Sequence, residues 1–306
     1  MFSLVVPLFR EEQGIDHTVA AAREALASLS QPCEIILIDD GSDDGTWQAV
    51  CRHAAAGGLR GIRLSRNFGK EAAICAGLEA AADAQAAIIM DGDLQHPPAL
   101  IAQMVEVWRS GQADIVEAVK PRRPREPMVA RLGSKVFYRL LRRLSGFDLA
   151  GASDFKLLDA RVCEAYRRMG ERALFFRGMI AWLGFRRVQI PFEVPDRASG
   201  RSKWRLGALW QLATTGLTAF SSSALRIVNW LAAIFLLLAV AMGIRALWVY
   251  FAGQPGAGIT TVILLQLLTG GFVLLGLGII GEYIARIYEE VKARPRYVVA
   301  EKTSDH

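Results

Sequence analysis

The sequence predicts an α/β fold, a mainly parallel sheet with helices on both faces, followed by a two-helix transmembrane hairpin. Three observations predict it. Short apolar runs alternate with amphipathic stretches in the first part of the chain, acidic turns follow two of those runs, and two long uncharged runs stand close together near the end. A chain of 306 residues with 52% hydrophobic and 22% charged residues is not a disordered tail, a collagen-like fibre or a small disulfide-stapled domain. Its mean hydropathy of +0.26 is high for that much charge, so the apolar residues must be segregated.

Ser3 to Leu8 is a Val-rich run that reads as the first strand, and a helix-like stretch from Gly14 to Leu29 follows it, ending near Pro32. Glu34 to Ile38 is the next strand. The turn Asp39-Asp40-Gly41-Ser42-Asp43-Asp44-Gly45-Thr46 then supplies helix-capping chemistry for an amphipathic stretch, Trp47 to Ala56, which Gly57-Gly58 stops. Gly61 to Leu64, Ala86 to Met90 and Ile115 to Val119 repeat the strand pattern, with helical stretches at Glu71 to Ala82 and Pro98 to Ser110. In such sheets ligands gather beyond the carboxyl ends of the strands, where Asp39-Asp40 and Asp91-Gly92-Asp93 fall.

Ile227 to Ile244 carries no charge, and after Arg245 a second uncharged run extends from Ala246 to Gly281, broken by Gly253-Gln254-Pro255-Gly256. Covering about 30 Å of hydrocarbon at about 1.5 Å per residue takes roughly 20 residues, so spans are expected over 227–252 and 258–281. Arg245, near the far end of the first span, snorkels to the interface beside Trp248 and Tyr250. Arg226 precedes the pair, and Arg286, Lys292, Arg294 and Arg296 follow it. The positive-inside rule therefore places both termini in the cytoplasm, on a multi-pass protein of the inner (cytoplasmic) membrane. The opening Met1 to Pro7 is too short for a secretory signal. The cysteines form no C-x-x-C pair and the histidines no H-E-x-x-H, so neither a zinc site nor a disulfide framework is expected.

A carboxylate pair one residue apart at a strand end suits a hard divalent cation that bridges phosphates. Asp91 and Asp93 are expected to hold Mg²⁺ or Mn²⁺, with Gln95 as a neutral oxygen, and Asp39 and Asp40 to accept hydrogen bonds from a base or ribose. Between Lys120 and Arg143 the cations, Arg122 and Arg131 among them, are opposed only by Glu126. On a chain with two spans this surface suits anionic headgroups and a lipid-linked phosphate, not nucleic acid. Arg197-Ala198-Ser199-Gly200-Arg201-Ser202-Lys203-Trp204 combines cations, hydroxyls and a Gly that can wrap phosphate oxygens. Residues 206–226 read as an interfacial amphipathic helix or as an ordinary helix packed on the soluble domain.

Several motifs in order carry a resemblance. Val5 to Glu12, Ile38 to Thr46, Ser65 to Ala73, Met90 to Pro98 and the tail from Gly281 to Val291 resemble the family 2 glycosyltransferases of the GT-A fold. The similarity is to their membrane-anchored branch, which makes polyisoprenyl-phosphate sugars, the GtrB, ArnC and dolichol-phosphate mannose synthase types. The resemblance implies a cytoplasmic GT-A nucleotide-diphospho-sugar transferase domain over 1–205, a linker over 206–226 and a cytoplasmic tail over 282–306. It implies a nucleotide-sugar donor, by default UDP-glucose or a related UDP-sugar, and inverting transfer to polyprenyl (undecaprenyl or dolichyl) phosphate for cell-envelope glycan modification. It places Pro7, Phe9, Glu11, Asp39, Asp40 and Asp91 on the nucleotide-sugar and makes Asp154, Arg201 and Lys203 catalytic. Arg122, Arg131, Arg201, Ser202 and Lys203 hold the acceptor phosphate, and the assembly is a homo-oligomer, a tetramer. Asp154 is read as a base or as an orienting group; a lipid monophosphate is already ionised near neutral pH, which favours the second.

One pair departs from the family pattern: Phe9-Arg10 stands where Tyr-Asn is usual, although a Phe still packs on a base. It is the sequence's one hint of the competing reading, a membrane-anchored nucleotide-binding or scaffolding protein with a lapsed active site. A processive polysaccharide synthase would bring more spans and a Q-x-x-R-W motif, neither of which is present.

Overall fold

The computed structural model describes residues 1–29, 31–119, 153–172, 174–192, 223–252 and 259–303. The chain divides into two units, residues 1–203 with 294–306, and residues 204–293. In the first unit β1 (Phe2–Leu8), α1 (Ile15–Ala27), β2 (Cys33–Asp39), α2 (Thr46–Ala55), β3 (Leu59–Leu64), α3 (Lys70–Ala80), β4 (Ala86–Ile89), α4 (Leu100–Arg109) and β5 (Ile115–Val119) alternate. They are followed by β6 (Lys156–Asp159), α5 (Ala160–Arg168), α6 (Phe176–Trp182), β7 (Arg187–Pro191) and, at the chain end, β8 (Val299–Lys302).

Among the described residues the strands form one sheet in the order β7-β5-β6-β4-β1-β2-β3-β8. β1, β2, β3 and β4 run parallel, as expected from their apolar runs: Leu4, Val5, Val6, Ile36, Leu37, Ile38, Ile88 and Ile89 are buried on both faces of the sheet. Two strands break the parallel pattern. β6 is antiparallel to β4 and β5, and β8 is antiparallel to β3 at the edge.

Pro7 explains where β1 and β4 part. The Val5 carbonyl accepts the Met90 N–H, so Val5 faces β4, and two residues on Pro7 presents its missing N–H to the same side, where pairing has ended at Val5–Ile89. The Asp91-Gly92 turn fills that gap. A Cβ on Gly92 would lie 2.6 Å from Leu8 Cδ2, so the turn closes tightly on β1, and Thr18 Oγ1 of α1 donates to the Gly92 carbonyl at 2.6 Å.

β8 ties the chain end to the sheet. Glu301 accepts from Trp47 Nε1 at 2.9 Å and from Arg63 at 2.9 Å, and the Gly61 N–H donates to Thr303 Oγ1 at 2.8 Å. The stretch expected to be a tail thus contains a strand, and the helix ahead of it runs on past Gly281.

The second unit contains α7 (Ser223–Phe251) and α8 (Ile259–Val291). Windows at Ala232–Val249 and Leu265–Val291, with mean hydropathy 2.2 and 1.8, are long and apolar enough to cross a membrane. Large apolar side chains such as Leu237, Trp248, Leu267 and Leu274 are exposed along both helices, and Phe235 meets Phe272 with ring centroids 4.1 Å apart.

Among the described residues the sheet core holds one ion pair with both partners buried, Lys156 with Glu117, which face each other in the β5–β6 register; Gln189 Nε2 also donates to Glu117 at 3.2 Å. Arg187 Nη1 also lies 3.6 Å from Glu117 Oε2, so Glu117 keeps partners without Lys156, whereas Lys156 without Glu117 is stranded in the core. Glu117→Leu is therefore expected to destabilise by about 3 kcal/mol, Lys156→Met by less, and Glu117→Leu with Lys156→Met to recover most of the larger loss. Thermal unfolding midpoints of the two singles and the double test this; additive losses would show that the pair is uncoupled.

Candidate active site

The acidic turns expected at the strand ends are brought together by three loops. After β1, Arg10 adopts φ 55°, a left-handed conformation in which Asn is at ease and Arg is uncommon. It is held there by its N–H on Ser42 Oγ at 3.0 Å and by a two-pronged contact of its guanidinium with Asp43, both distances 2.7 Å. The Phe9-Arg10 departure therefore has a local compensation, and Phe9 beside it keeps an exposed ring. Glu11 N–H donates to Thr46 Oγ1 at 3.0 Å, and Glu12 accepts from Gly45 N–H at 3.1 Å.

Asp39 and Asp40 have separate fates. Both Asp40 oxygens accept backbone N–H groups of the third loop, Phe68 at 2.8 Å and Gly69 at 2.9 Å, while its own N–H donates to the Leu8 carbonyl. Asp40 is thus a knot joining the loops after β1, β2 and β3. Asp39 Oδ1 accepts from Ser42 N–H at 3.0 Å; its Oδ2 accepts no hydrogen bond among the described residues and has Arg63 Nε at 3.4 Å. Burial raises the pKa of both carboxyls, against the hydrogen bonds they accept. Both side chains are covered in this structure.

Because β6 runs antiparallel to β4, with Ile89 opposite Lys156, the residue two beyond one and the residue two before the other meet: Asp91 and Asp154. Lys70, the first residue of α3, sits between them, its Nζ 2.6 Å from Asp91 Oδ1 and 2.7 Å from Asp154 Oδ2. Arg177 of α6 grips Asp154 from the other side, Nε to Oδ1 at 2.7 Å and Nη2 to Oδ2 at 2.9 Å. Burial pushes the Asp154 carboxyl up, but the hydrogen bonds and charge of Arg177 and the charge of Lys70 override it and hold the pKa at about 2. A carboxylate held so low, with both oxygens bound by cations, orients neighbours and is a poor proton acceptor.

Asp93 and Gln95 are exposed on the same turn as Asp91, and Asp93 Oδ1 accepts the Gln95 N–H at 3.1 Å. Burial raises Glu11, and the like charge of Asp93 adds to it, as expected of facing loops. Among the described residues no three His, Cys, Asp or Glu side chains converge as a metal cluster. Asp91 and Asp93 nevertheless fit a cation of the Mg²⁺ type, which binds through one or two carboxylates and completes its shell with substrate phosphates and water. Asp91 already attracts an ammonium, and Asp93 is open to solvent. Arg122, Arg131, Arg201, Ser202 and Lys203 lie outside the described residues.

Lys70, Glu71 and Arg177 were not singled out from the sequence. A lysine opening a helix works against the helix dipole, a faint sign that local carboxylates compensate it; Arg177 gives no such sign. Glu71 accepts the Phe176 N–H at 2.5 Å, joining the start of α3 to the start of α6. Burial raises its pKa to about 7, with the Phe176 bond, Arg177 and Lys70 opposing and Asp154 adding. The folded state therefore holds the Glu71 proton more tightly than the unfolded chain. The stability this contributes is complete below the unfolded value of 4.5 and is lost as pH rises through about 7. Glu71→Gln keeps the acceptor and removes the titration. The unfolding midpoint of the variant is expected to gain on the wild type between pH 5 and pH 8, and a constant gap across that range would exclude a raised Glu71.

Comparisons with known proteins identify the family and the fold. Residues 3–174 match the family described as Glycosyl transferase family 2. The chain is 37% identical over 302 residues to a glycosyltransferase of Synechocystis sp., covering 98% of this chain and 94% of that one. It is 35% identical over 303 residues to the prophage-derived bactoprenol glucosyl transferase of Shigella flexneri, covering 97% and 96%. The structure of glucosyl-3-phosphoglycerate synthase from Mycobacterium tuberculosis superimposes with a TM-score of 0.51 at 19% identity, over 72% of this chain and 80% of that one. The shared fold is the GT-A fold that the motifs imply. With a family match over more than half its length and relatives aligned almost end to end, the chain belongs to glycosyl transferase family 2.

Proposed function

We propose that this protein transfers a sugar from a nucleotide-sugar to polyprenyl phosphate at the cytoplasmic face of a membrane, with inversion at the anomeric carbon. The observation that carries the reading is the charge cluster of Asp91, Lys70, Asp154 and Arg177 at the strand ends, on a chain that also bears two long, exposed apolar helices. A soluble acceptor needs no such helices; a lipid phosphate does, because it cannot leave the bilayer. The Shigella flexneri relative, named for its bactoprenol acceptor, supports that choice.

The acceptor phosphate is already an anionic nucleophile, so no base has to remove a proton from it. Asp154, fixed by Lys70 and Arg177, is suited to orient the sugar hydroxyls. Phe9 offers an exposed face to the base, and Asp39 Oδ2 is an unfilled acceptor on the adjoining loop. Asp91 and Asp93, with Gln95, are placed to hold Mg²⁺ or Mn²⁺, whose charge would neutralise the leaving diphosphate; the Mycobacterium tuberculosis synthase was solved with Mn²⁺ and UDP. UDP-glucose or a related UDP-sugar is the donor we propose. Arg201 and Lys203, in the segment resembling a loop that closes over donor and acceptor, supply the remaining positive charge. Both termini are proposed to be cytoplasmic, from the cations flanking the helices.

Nucleoside diphosphate release by the purified full chain, measured with a panel of UDP- and GDP-sugars with and without polyprenyl phosphate, is expected to require the lipid. Release that ignores it would overturn the acceptor assignment. Asp93→Ala is expected to abolish turnover, by a factor of at least roughly 10², while the variant remains in the membrane fraction. Full activity in that variant would refute the metal assignment.

A further inference from the structure

We propose that Lys70 is a built-in competitor for the divalent cation at Asp91, so that the metal binds tightly only together with the diphosphate of the donor. The inference rests on the metal and nucleotide-sugar reading above and deepens it; it does not depend on the lipid acceptor. It assigns Lys70 a role beyond fixing Asp154, that of coupling two ligands of the same site.

The contacts of Lys70 are unequal. Its Nζ donates a hydrogen bond to Asp154 Oδ2 at 2.7 Å, and lies 2.6 Å from Asp91 Oδ1 without the alignment of one. Asp91 Oδ1 is buried and accepts no hydrogen bond among the described residues. A buried carboxylate oxygen that faces a cation without a hydrogen bond has its charge offset while its lone pairs stay open, and in that condition it can still be taken by a metal. Asp154, by contrast, is held on both oxygens, by Lys70 and by the two-pronged contact of Arg177. Lys70 is thus anchored on Asp154 and only leans on Asp91.

That position makes the ammonium and a metal compete. A cation bound to Asp91 Oδ1 at about 2.1 Å would have the ammonium within about 5 Å, and two positive charges that close repel strongly in a partly buried space. A divalent cation by itself meets this repulsion in full. A diphosphate arriving with it offsets the added charge and gives Lys70 an anion to meet in place of Asp91. The way for that turn is open, because 42% of the Lys70 side chain is exposed, against 20% of Asp91 and 8% of Asp154. The ammonium sits on a flexible four-carbon stem and has three donors, so it can keep Asp154 while exchanging its other partner. Metal and diphosphate then raise each other's affinity, by the same factor in both directions.

The test measures Mn²⁺ binding by the detergent-purified full chain, from the electron paramagnetic resonance signal of the free ion, with and without UDP and corrected for Mn²⁺ held by free UDP. Wild-type protein is expected to bind Mn²⁺ at least about tenfold more tightly with UDP than without it. Lys70→Met is expected to bind Mn²⁺ alone roughly tenfold more tightly than wild type and to lose most of the gain from UDP. Lys70→Arg, which keeps the charge, is expected to stay close to wild type. Unchanged or weaker Mn²⁺ binding by Lys70→Met without UDP would overturn the proposal, because a merely structural lysine gives that result. Should Lys70→Met fold poorly, equal Mn²⁺ affinity of the wild type with and without UDP would overturn it as well. Mn²⁺ that binds no form of the protein even with UDP present would instead overturn the metal assignment on which the proposal rests.

Discussion

The site is organised around one ammonium group. Lys70 stands between Asp91 and Asp154, two carboxylates that would otherwise repel each other in a partly buried space. Its position depends on three separate features of the fold. α3 must start at the carboxyl ends of the strands, β4 must end in an acidic turn, and β6 must run against β4 so that its approach brings Asp154 to the same place. Arg177 then closes the arrangement from α6, and Glu71 links that helix to α3 through the Phe176 N–H. Loss of the central cation would leave two anions facing each other with Arg177 on only one of them. The same balance keeps the cluster preorganised: Lys70 and Arg177 are fixed in place by the carboxylates they pair with, so they need little reorganisation when charge develops beside them.

A second constraint holds the other side of the site. Asp40 spends both oxygens on backbone N–H groups of the third loop, and the turn it belongs to requires Gly41, where a Cβ would lie 2.3 Å from the Arg66 backbone carbon. Asp39, its neighbour, has one oxygen engaged by Ser42 and the other without a hydrogen bond. Two adjacent carboxylates that look equivalent in the sequence thus divide into one that builds the loop and one that retains acceptor capacity. The Arg10–Asp43 contact belongs to the same frame, replacing the conformational tolerance of Asn with a local anchor.

The parallel strands were legible because β-branched, apolar runs buried on both faces are hard to read otherwise, and α1, α2 and α4 between them carry amphipathic patterns; α3 is buried along most of its length, and none of the four has a side-chain N-cap hydrogen bond. β6, β7 and β8 were not. β6 places Lys156 in the core, where its charge hides the strand until Glu117 is seen opposite; β7 carries Arg187 and Gln189; β8 ends in Glu301 and Lys302 and is mostly exposed at the sheet edge. The site followed the same division. Acidic residues in turns could be found from spacing, whereas Lys70, Glu71 and Arg177 owe their roles to partners 84, 105 and 23 residues away, contacts that no local pattern records.

β8 adds a mechanical consequence. The chain leaves the first unit by residue 203 and returns to it at Arg294, so the apolar helices are inserted into the unit and not appended to it. On return, β8 pairs with β3 and Glu301 reaches Trp47 and Arg63, which makes the end of the chain part of the sheet. An edge strand of only four residues therefore matters to the sheet itself: without β8 the edge of β3 would lose its backbone partners, and Trp47 and Arg63 would lose the carboxylate that both of them donate to.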